Sequence, residues 1–346
     1  MKRPTIAALT CLIAFAAVLP LGAQQMTDDA DHSPYLLAVD EYVPAPGQFV
    51  NHTPVWEQGD DAAKMAAKCT EAIAGDYAGL DHNMITLGGY GGYVTFHFDH
   101  SIANISGQRD FYIRGNAFNG NSEPGIIMVS KDENHNGRPD DPWYEISGSA
   151  DVDSVGKVDY AYSVTYRKNP MGDIPWTDNR GETGAVKRNE FHTQEYYPEW
   201  LDDNLTFSGT RLPRNAWYIQ GMWRMMFLRY GYADNLPNSD EEGCSIDISW
   251  AVDENRQPKD LDFIDFVRIY NGTNQWVPQI GEISTEVAGA HDLHLEASLD
   301  AIRTATGIVS PVQSVQESAL YNLQGQRVSR GYRGICIKNG KKFVNK

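Results

Sequence analysis

Basic residues are scarce in this chain: 29 Lys and Arg stand against 46 Asp and Glu in 346 residues, a formal net charge of −17. Nucleic acid and anionic membrane surfaces both require a concentrated basic patch, so neither is expected as a partner of the body of the protein. Cations, neutral glycans and neutral small molecules remain. Cysteine is scarcer still. Of four, Cys11 lies in an apolar leader, and Cys69, Cys244 and Cys336 are too few for a disulfide framework. Cys69 and Cys244 could pair in an oxidising compartment, but buried structural thiols are the simpler expectation. A GxSxG elbow, an HExxH helix, a P-loop and a paired CxxC are all missing, which leaves nucleophilic hydrolysis, zinc peptidase chemistry and nucleotide transfer without support. Glycosidase chemistry needs no linear motif, only two carboxylates about 5 to 9.5 Å apart, and the sequence nominates no such pair.

Long apolar runs are limited to Ile6–Val18, which follows Lys2 and Arg3 and precedes the small-residue site Leu21-Gly22-Ala23. This order reads as a secretory signal peptide over residues 1–23, not as a transmembrane span, and predicts an exported protein at the cell surface or beyond it. The 41% apolar content is enough for a sizeable core.

The most informative stretch is Asp132 to Glu145, DENHNGRPDDPWYE. Asp132, Asn134 and Asn136 place oxygen-bearing side chains at alternate positions, Gly137 supplies a sharp turn, and Arg138 offers a backbone carbonyl at position 7. Calcium takes about six to eight oxygen ligands, and this spacing is how a calcium loop begins. Position 12 is Trp143 where an EF-hand has Glu, so closure is assigned to Asp140, Asp141 and Glu145. Asn, Asp and Gly also form solvated turns for local reasons, which is the competing reading.

Around this loop the pattern is that of strands. Val94, Phe96 and Phe98 alternate with Tyr93, Thr95 and His97, and DFYIRGNAF, GIIMVS, WYEIS, YAYSVTY, LTFSG, SIDISW and FIDFVRIY follow with turn residues between most of them. An all-β antiparallel sandwich or jelly roll with long loops is predicted. One short helix is expected after Asp60 or Asp61, where Met65, Cys69 and Ile73 recur at i, i+4 and i+8 before Gly75. The glycines at 88, 89, 91 and 92 lack a following Lys-Ser/Thr and read as a tight bend, not a phosphate loop.

Between Pro170 and Trp223 aromatics crowd irregular chain, and loops on a sandwich commonly carry binding residues. Trp176, Tyr197 and Trp200, each beside a proline, are candidates for rings held outward to stack on a ligand. Asp178 and His192 are candidates to hydrogen-bond its edge. Core filling beneath long loops is the alternative. His192 with Glu195 or Glu199 is the best acid–base candidate.

Several segments together, ITLGGYGG, DFYIRGNAF, EPGIIMVSKDENHNGRPDDPWYEISGS, IPWTDN, FHTQEYYPEW, LTFSGTRL and GEISTEVAGAHDLH, resemble a family of secreted cell-surface proteins of the PKD-like group found in Bacteroidota. The resemblance covers Pro34 to Leu295 and implies a β-rich, calcium-binding surface protein without implying a reaction. Separately, ALYNLQGQRVSRGYRGICIKNGKKFVNK resembles the C-terminal sorting tail of type IX secretion substrates, which implies that machinery as a partner. Residues 317–346 hold seven Lys/Arg and one Glu, net +6, leaving −23 for the remainder. A basic tail on an acidic body marks a separate unit, although a basic strand pair packed on the main domain would look the same.

The expected organisation is therefore a signal peptide (1–23), a calcium-binding β-sandwich (34–303), a linker (304–318) and a small β sorting tail (319–346). The function expected first is extracellular capture of a glycan or small molecule. A carbohydrate-active enzyme and a structural adhesion domain follow.

Overall fold

The computed structural model describes residues 32–77, 83–170, 172–305, 320–322, 327–328, 334–338 and 341–345. The signal-peptide reading and nearly all of the expected linker lie outside these residues.

The chain divides into two compact units, Met1–Leu299 and Asp300–Lys346. In the first, the main sheet has six strands in the order β1 (Ala38–Val43), β3 (Tyr93–Ala103), β15 (Phe263–Asn271), β5 (Gly125–Ser130), β6 (Trp143–Ile146) and β14 (Ala251–Val252). Every pairing is antiparallel, and the register places Val267 between Phe96 and Val129, and Ile269 between Val94 and Ile127. Those β-branched and aromatic pairs face one side of the sheet because side chains alternate along a strand. There they meet helix α1 (Ala62–Ile73), whose Met65, Cys69 and Ile73 are fully buried. The helix starts where the Asp61 carboxylate accepts the Lys64 N–H at 2.9 Å.

The opposite face of the main sheet carries Ile126, Met128 and Tyr270 and is covered by a second sheet, β10 (Asn204–Arg211), β7 (Asp159–Arg167), β8 (Ile174–Asp178) and β9 (Thr183–Val186). Tyr90, Tyr162, Tyr166, Tyr270 and Phe207 fill this second core. The bend before β3 is packed too tightly for side chains. A Cβ on Gly91, where φ is +84°, would lie 2.2 Å from Phe207, and one on Gly92 would lie 1.9 Å from the Leu87 carbonyl oxygen.

Smaller ladders complete this unit: β13 (Ser245–Ile246), β4 (Phe111–Arg114) and β19 (Gly289–Asp292) form one, β18 (Glu286–Val287) and β2 (Ile85–Thr86) another. The hairpins β16 (Trp276–Val277) with β17 (Gly281–Glu282), and β11 (Ala216–Ile219) with β12 (Met222–Met225), stand apart. The protein is thus the expected all-β sandwich, with one short helix on the main sheet. A second helix, α2, covers Leu295–Ala305. The C-terminal unit holds a four-stranded antiparallel sheet in the order β21 (Arg327–Val328), β20 (Leu320–Asn322), β22 (Gly334–Lys338), β23 (Lys341–Asn345). Cys69 and Cys244 are buried free thiols. Among the described residues no helix is long and apolar enough to cross a membrane.

Candidate functional site

Past the hairpin turn that ends at Ile280, side chains alternate from Glu282 at the end of β17 to Val287 in β18. Ile283, Thr285 and Val287 are fully buried, whereas Ile280, Glu282, Ser284 and Glu286 line a cleft of about 1110 Å³. The opposite wall comes from Gln48–Val55, the outer face of α1 at Lys68 and Glu71, and Met84. Asn116, Asn121 and Glu123 form one end. At the rim, the rings of Phe49 and His192 meet edge to face at 4.6 Å.

The floor of this cleft is acidic. One carboxylate oxygen from each of Glu123, Asp234 and Glu286 falls within 4.8 Å of the others, and all three residues are buried. Asp234 is held by backbone: its Oδ1 accepts the N–H groups of Asn116 (2.6 Å) and Ala117 (2.8 Å), and its Oδ2 accepts that of Glu286 (2.9 Å). Glu286 accepts the Thr86 hydroxyl at 3.0 Å, and Glu123 accepts the Asn121 amide at 3.2 Å. Glu123 and Glu286 also hydrogen-bond each other, which requires one of them to carry a proton. Four residues along the chain from Glu286, Glu282 accepts the Gln48 N–H at 2.5 Å with Oε1, while its buried Oε2 has no hydrogen-bond partner.

Burial, with no cation to offset it, dominates the electrostatics. It pushes Asp234 up to about 7 and Glu282 and Glu286 up to about 8, and it raises Glu123 well above the usual range with help from the Glu286 charge. Lys68, the cation on the cleft wall, is already paired with Asp60 at 2.6 Å and Glu57 at 3.2 Å. Glu282 also borders a small neighbouring cavity of about 80 Å³, where Tyr90 Oη, Gln275 Oε1 and Trp276 Nε1 are likewise buried without partners. Such a polar space suits ordered water.

The loop from Asp132, expected from its sequence to hold calcium, lies between β5 and β6, where the strand pattern places it. Asp132 accepts the N–H groups of Asn136 (3.1 Å) and Gly137 (2.8 Å), and Asp140 gathers the side-chain amides of Asn134 and Asn136 at 3.1 Å. These amide bonds hold the Asp140 carboxyl below its ordinary pKa. Asp132, Asn134, Asn136 and Asp140 are therefore brought together, and Asp141 adds a buried Oδ2 without a partner. An all-oxygen donor set with an orphaned carboxylate oxygen fits a hard cation. Asp265 belongs beside them, since its Oδ2 accepts the Asp132 N–H at 2.7 Å. Sequence reading missed it because it sits more than a hundred residues away on β15.

Glu145 does not join the loop. By Trp143 the chain has entered β6, and Glu145 is directed across the sheet, where it pairs with Arg256 at 2.6 Å and accepts the Thr210 hydroxyl at 2.7 Å. Among the described residues, the loop is not one of the places where three His, Cys or acidic side chains have ligand atoms within 4.8 Å of one another. Any cation held there would rely on Asn and backbone oxygens as well as Asp132 and Asp140.

Of the five residues expected at a ligand site, only His192 lines the cleft. Trp176 lies against Gly184, where a Cβ would come within 2.3 Å of the indole, and borders the small cavity. Asp178 closes the β8–β9 turn by accepting the N–H groups of Arg180 (2.9 Å) and Glu182 (2.8 Å). Tyr197, expected to point outward, is fully buried and donates its hydroxyl to the Asp202 carbonyl at 2.5 Å. Trp200 is half-buried and stacks on Tyr42 at 5.8 Å. The rings turn inward because Asn51 grips this loop from below, donating to the carbonyls of Glu195 and Tyr197, both at 2.9 Å. The proposed acid–base partners of His192 are engaged elsewhere, Glu195 with Arg188 at 2.8 Å and Glu199 with Lys168 at 3.1 Å.

The one local signal for the cleft floor was the alternation in GEISTEV, which reads equally well as a strand with its polar face in water. Glu123 and Asp234 carry no linear signal at all. No protein-family model matches the chain, and no curated protein matches it.

Proposed function

We propose that this is an exported ligand-binding protein that captures a small molecule in the cleft above Glu282 and Glu286. The observation that carries this reading is the cleft itself: a concavity of about 1110 Å³ lined by the buried carboxyl groups of Glu123, Glu282 and Glu286. Binding sites are concave and mix apolar walls with a few convergent polar groups, and a buried acceptor left open is costly unless something completes it. Phe49, Val55 and Met84 supply the apolar wall.

In this reading calcium at Asp132, Asn134, Asn136 and Asp140 braces the β5–β6 connection, and the C-terminal unit directs the protein to the cell surface through type IX secretion. The resemblance to PKD-like surface proteins of Bacteroidota agrees with both roles. The test is a glycan array combined with a small-molecule screen, each hit repeated on Met84→Trp, which fills the cleft at a half-exposed rim position. Hits that bind the variant unchanged would move the site elsewhere.

A carbohydrate-active enzyme is the second reading, and it stands behind binding because Glu123 and Glu286, the paired carboxyl groups of the cleft, hold ligand oxygens within 4.8 Å of each other, closer than the about 5 to 9.5 Å that glycoside cleavage uses. Release of reducing sugar from an array hit, lost in Glu286→Gln, would establish it.

A further inference from the structure

Resting on the reading of the cleft as the ligand site, we propose that its ligand is an organic cation with two amino groups, a linear diamine or polyamine, spanning from Glu282 to the Glu123–Glu286 pair. Two acidic stations stand on one wall. Glu282 ends β17 and Glu286 begins β18, four residues that span at most roughly 13 Å, and both residues line the cleft. Each station has acceptor capacity that the protein leaves unused. Oε2 of Glu282, in a residue only 4% exposed, has no partner. At the other station Glu123 and Glu286, both buried, bring carboxylate oxygens within 4.8 Å of each other, and among the described residues neither has a Lys or Arg partner.

Buried carboxyl groups ordinarily pair with Lys or Arg, because an unpaired buried charge is expensive. Several acids of this chain follow that rule: Glu145 has Arg256, Glu195 has Arg188 and Glu199 has Lys168, whereas fully buried Asp110 is held by the backbone N–H groups of Ile105 and Ile248. Glu123, Glu282 and Glu286 have none of these, although Lys68 lines the opposite wall, tied to Asp60 and Glu57. A ligand ammonium at each end would supply the missing cation and donate up to three hydrogen bonds. A single metal ion fits less well. The oxygens of Asp234 are committed to three backbone N–H groups, and Glu282 stands too far along the segment to share an ion with Glu286. Across the cleft, Phe49, Val55 and Met84 supply apolar surface suited to a methylene chain.

Calorimetric titration of the full chain with linear diamines of four, eight and twelve methylenes, at low salt, tests the proposal. The eight-methylene diamine, whose nitrogens match the spacing, should bind at least tenfold more tightly than the four-methylene one and than a monoamine of equal length. Glu282→Gln and Glu286→Gln should each weaken it about tenfold or more, with folding checked by circular dichroism. The chain-length series on the unchanged protein does not depend on either variant folding. Three outcomes overturn the proposal: diamines and monoamine binding alike, a neutral screening hit that binds the cleft and is blocked by Met84→Trp while no diamine binds, or calcium alone binding in a manner abolished by Glu286→Gln. The second leaves the cleft as a ligand site and removes only the cationic class. If every hit ignores Met84→Trp and no diamine binds, both readings fall.

Discussion

Replacing Glu282 by Gln should stabilise the protein near neutral pH. In the folded chain burial pushes this carboxyl up to about 8, against 4.5 for an ordinary glutamate. A group whose folded pKa is raised contributes stability that is fully present below its unfolded pKa and is lost as pH rises through the folded value. The wild-type protein therefore loses stability from this residue between pH 4.5 and about 8. At 1.36 kcal/mol per pKa unit, the loss accumulated by neutral pH is about 3 kcal/mol. Gln copies the protonated form: its carbonyl oxygen still accepts the Gln48 N–H, and its NH₂ stands where the neutral acid would hold its proton. The variant should melt about 6 °C higher than wild type at neutral pH, taking the lower end of the expected shift per kcal/mol for a large domain. The two should coincide near pH 4, where wild type is also neutral. Differential scanning calorimetry across that range is the assay. A variant that is less stable at every pH would show that the Glu282 carboxylate is ionised and compensated in the folded protein, which would remove the electrostatic basis for an open acceptor in the cleft.

Arg256→Ala should cost about 3 kcal/mol of stability in urea unfolding, because Glu145 and Asp151, each with a side chain 13% exposed, would lose their shared cation. Since Glu145 already has a raised pKa, that deficit should shrink as the solution is acidified, and a deficit independent of pH would refute the assignment. Millimolar calcium should raise the melting temperature by the equivalent of about 1 kcal/mol. Asp132→Ala should abolish this gain and Glu145→Gln should leave it intact, so loss of the gain in Glu145→Gln would return that residue to the loop. Tyr197→Ala should cost about 3 to 5 kcal/mol with or without ligand, as truncation of a fully buried ring does. A variant that melts normally but fails to bind would place the ring in the site.

The strand pattern was legible wherever alternation met a bounded, mostly apolar run. GIIMVS became β5, YAYSVTY lies within β7, FIDFVRIY became most of β15, and the i, i+4, i+8 stripe of Met65, Cys69 and Ile73 became the buried face of α1. SIDISW did not become one long strand. Its first two residues pair with β4, and Asp247 then accepts the Ser249 N–H and starts a single 3₁₀ turn. The place of the loop after β5 was legible, because it falls between two bounded strand patterns, and its turn is built from local Asp and Asn side chains such as Asp132, which accepts the N–H groups of Asn136 and Gly137. Tyr197 and Trp200 were misplaced because a proline beside an aromatic reports the backbone, not the direction of the ring, and that direction is set by Asn51 far up the chain. The acidic floor was illegible for the same reason in stronger form. Glu123, Asp234 and Glu286 meet only after three separate segments have packed, and in sequence each is one acid among 46.

The place of β15 governs when this protein is able to fold. Val267 pairs with Phe96 on one side and with Val129 on the other, so the centre of the main sheet is the last long strand of its unit to be synthesised. Until it arrives, β3 and β5 are separated by a gap one strand wide, and neither can bury its Val, Ile and Phe side chains against a continuous layer. A nascent chain ending before Phe263 is therefore an open, adhesive intermediate, with unpaired strand edges of the kind that aggregate. Closing loops of more than a hundred residues before any contact rewards the entropy lost places the domain among slow folders. The same order of assembly postpones the compact state until nearly the whole chain has been made.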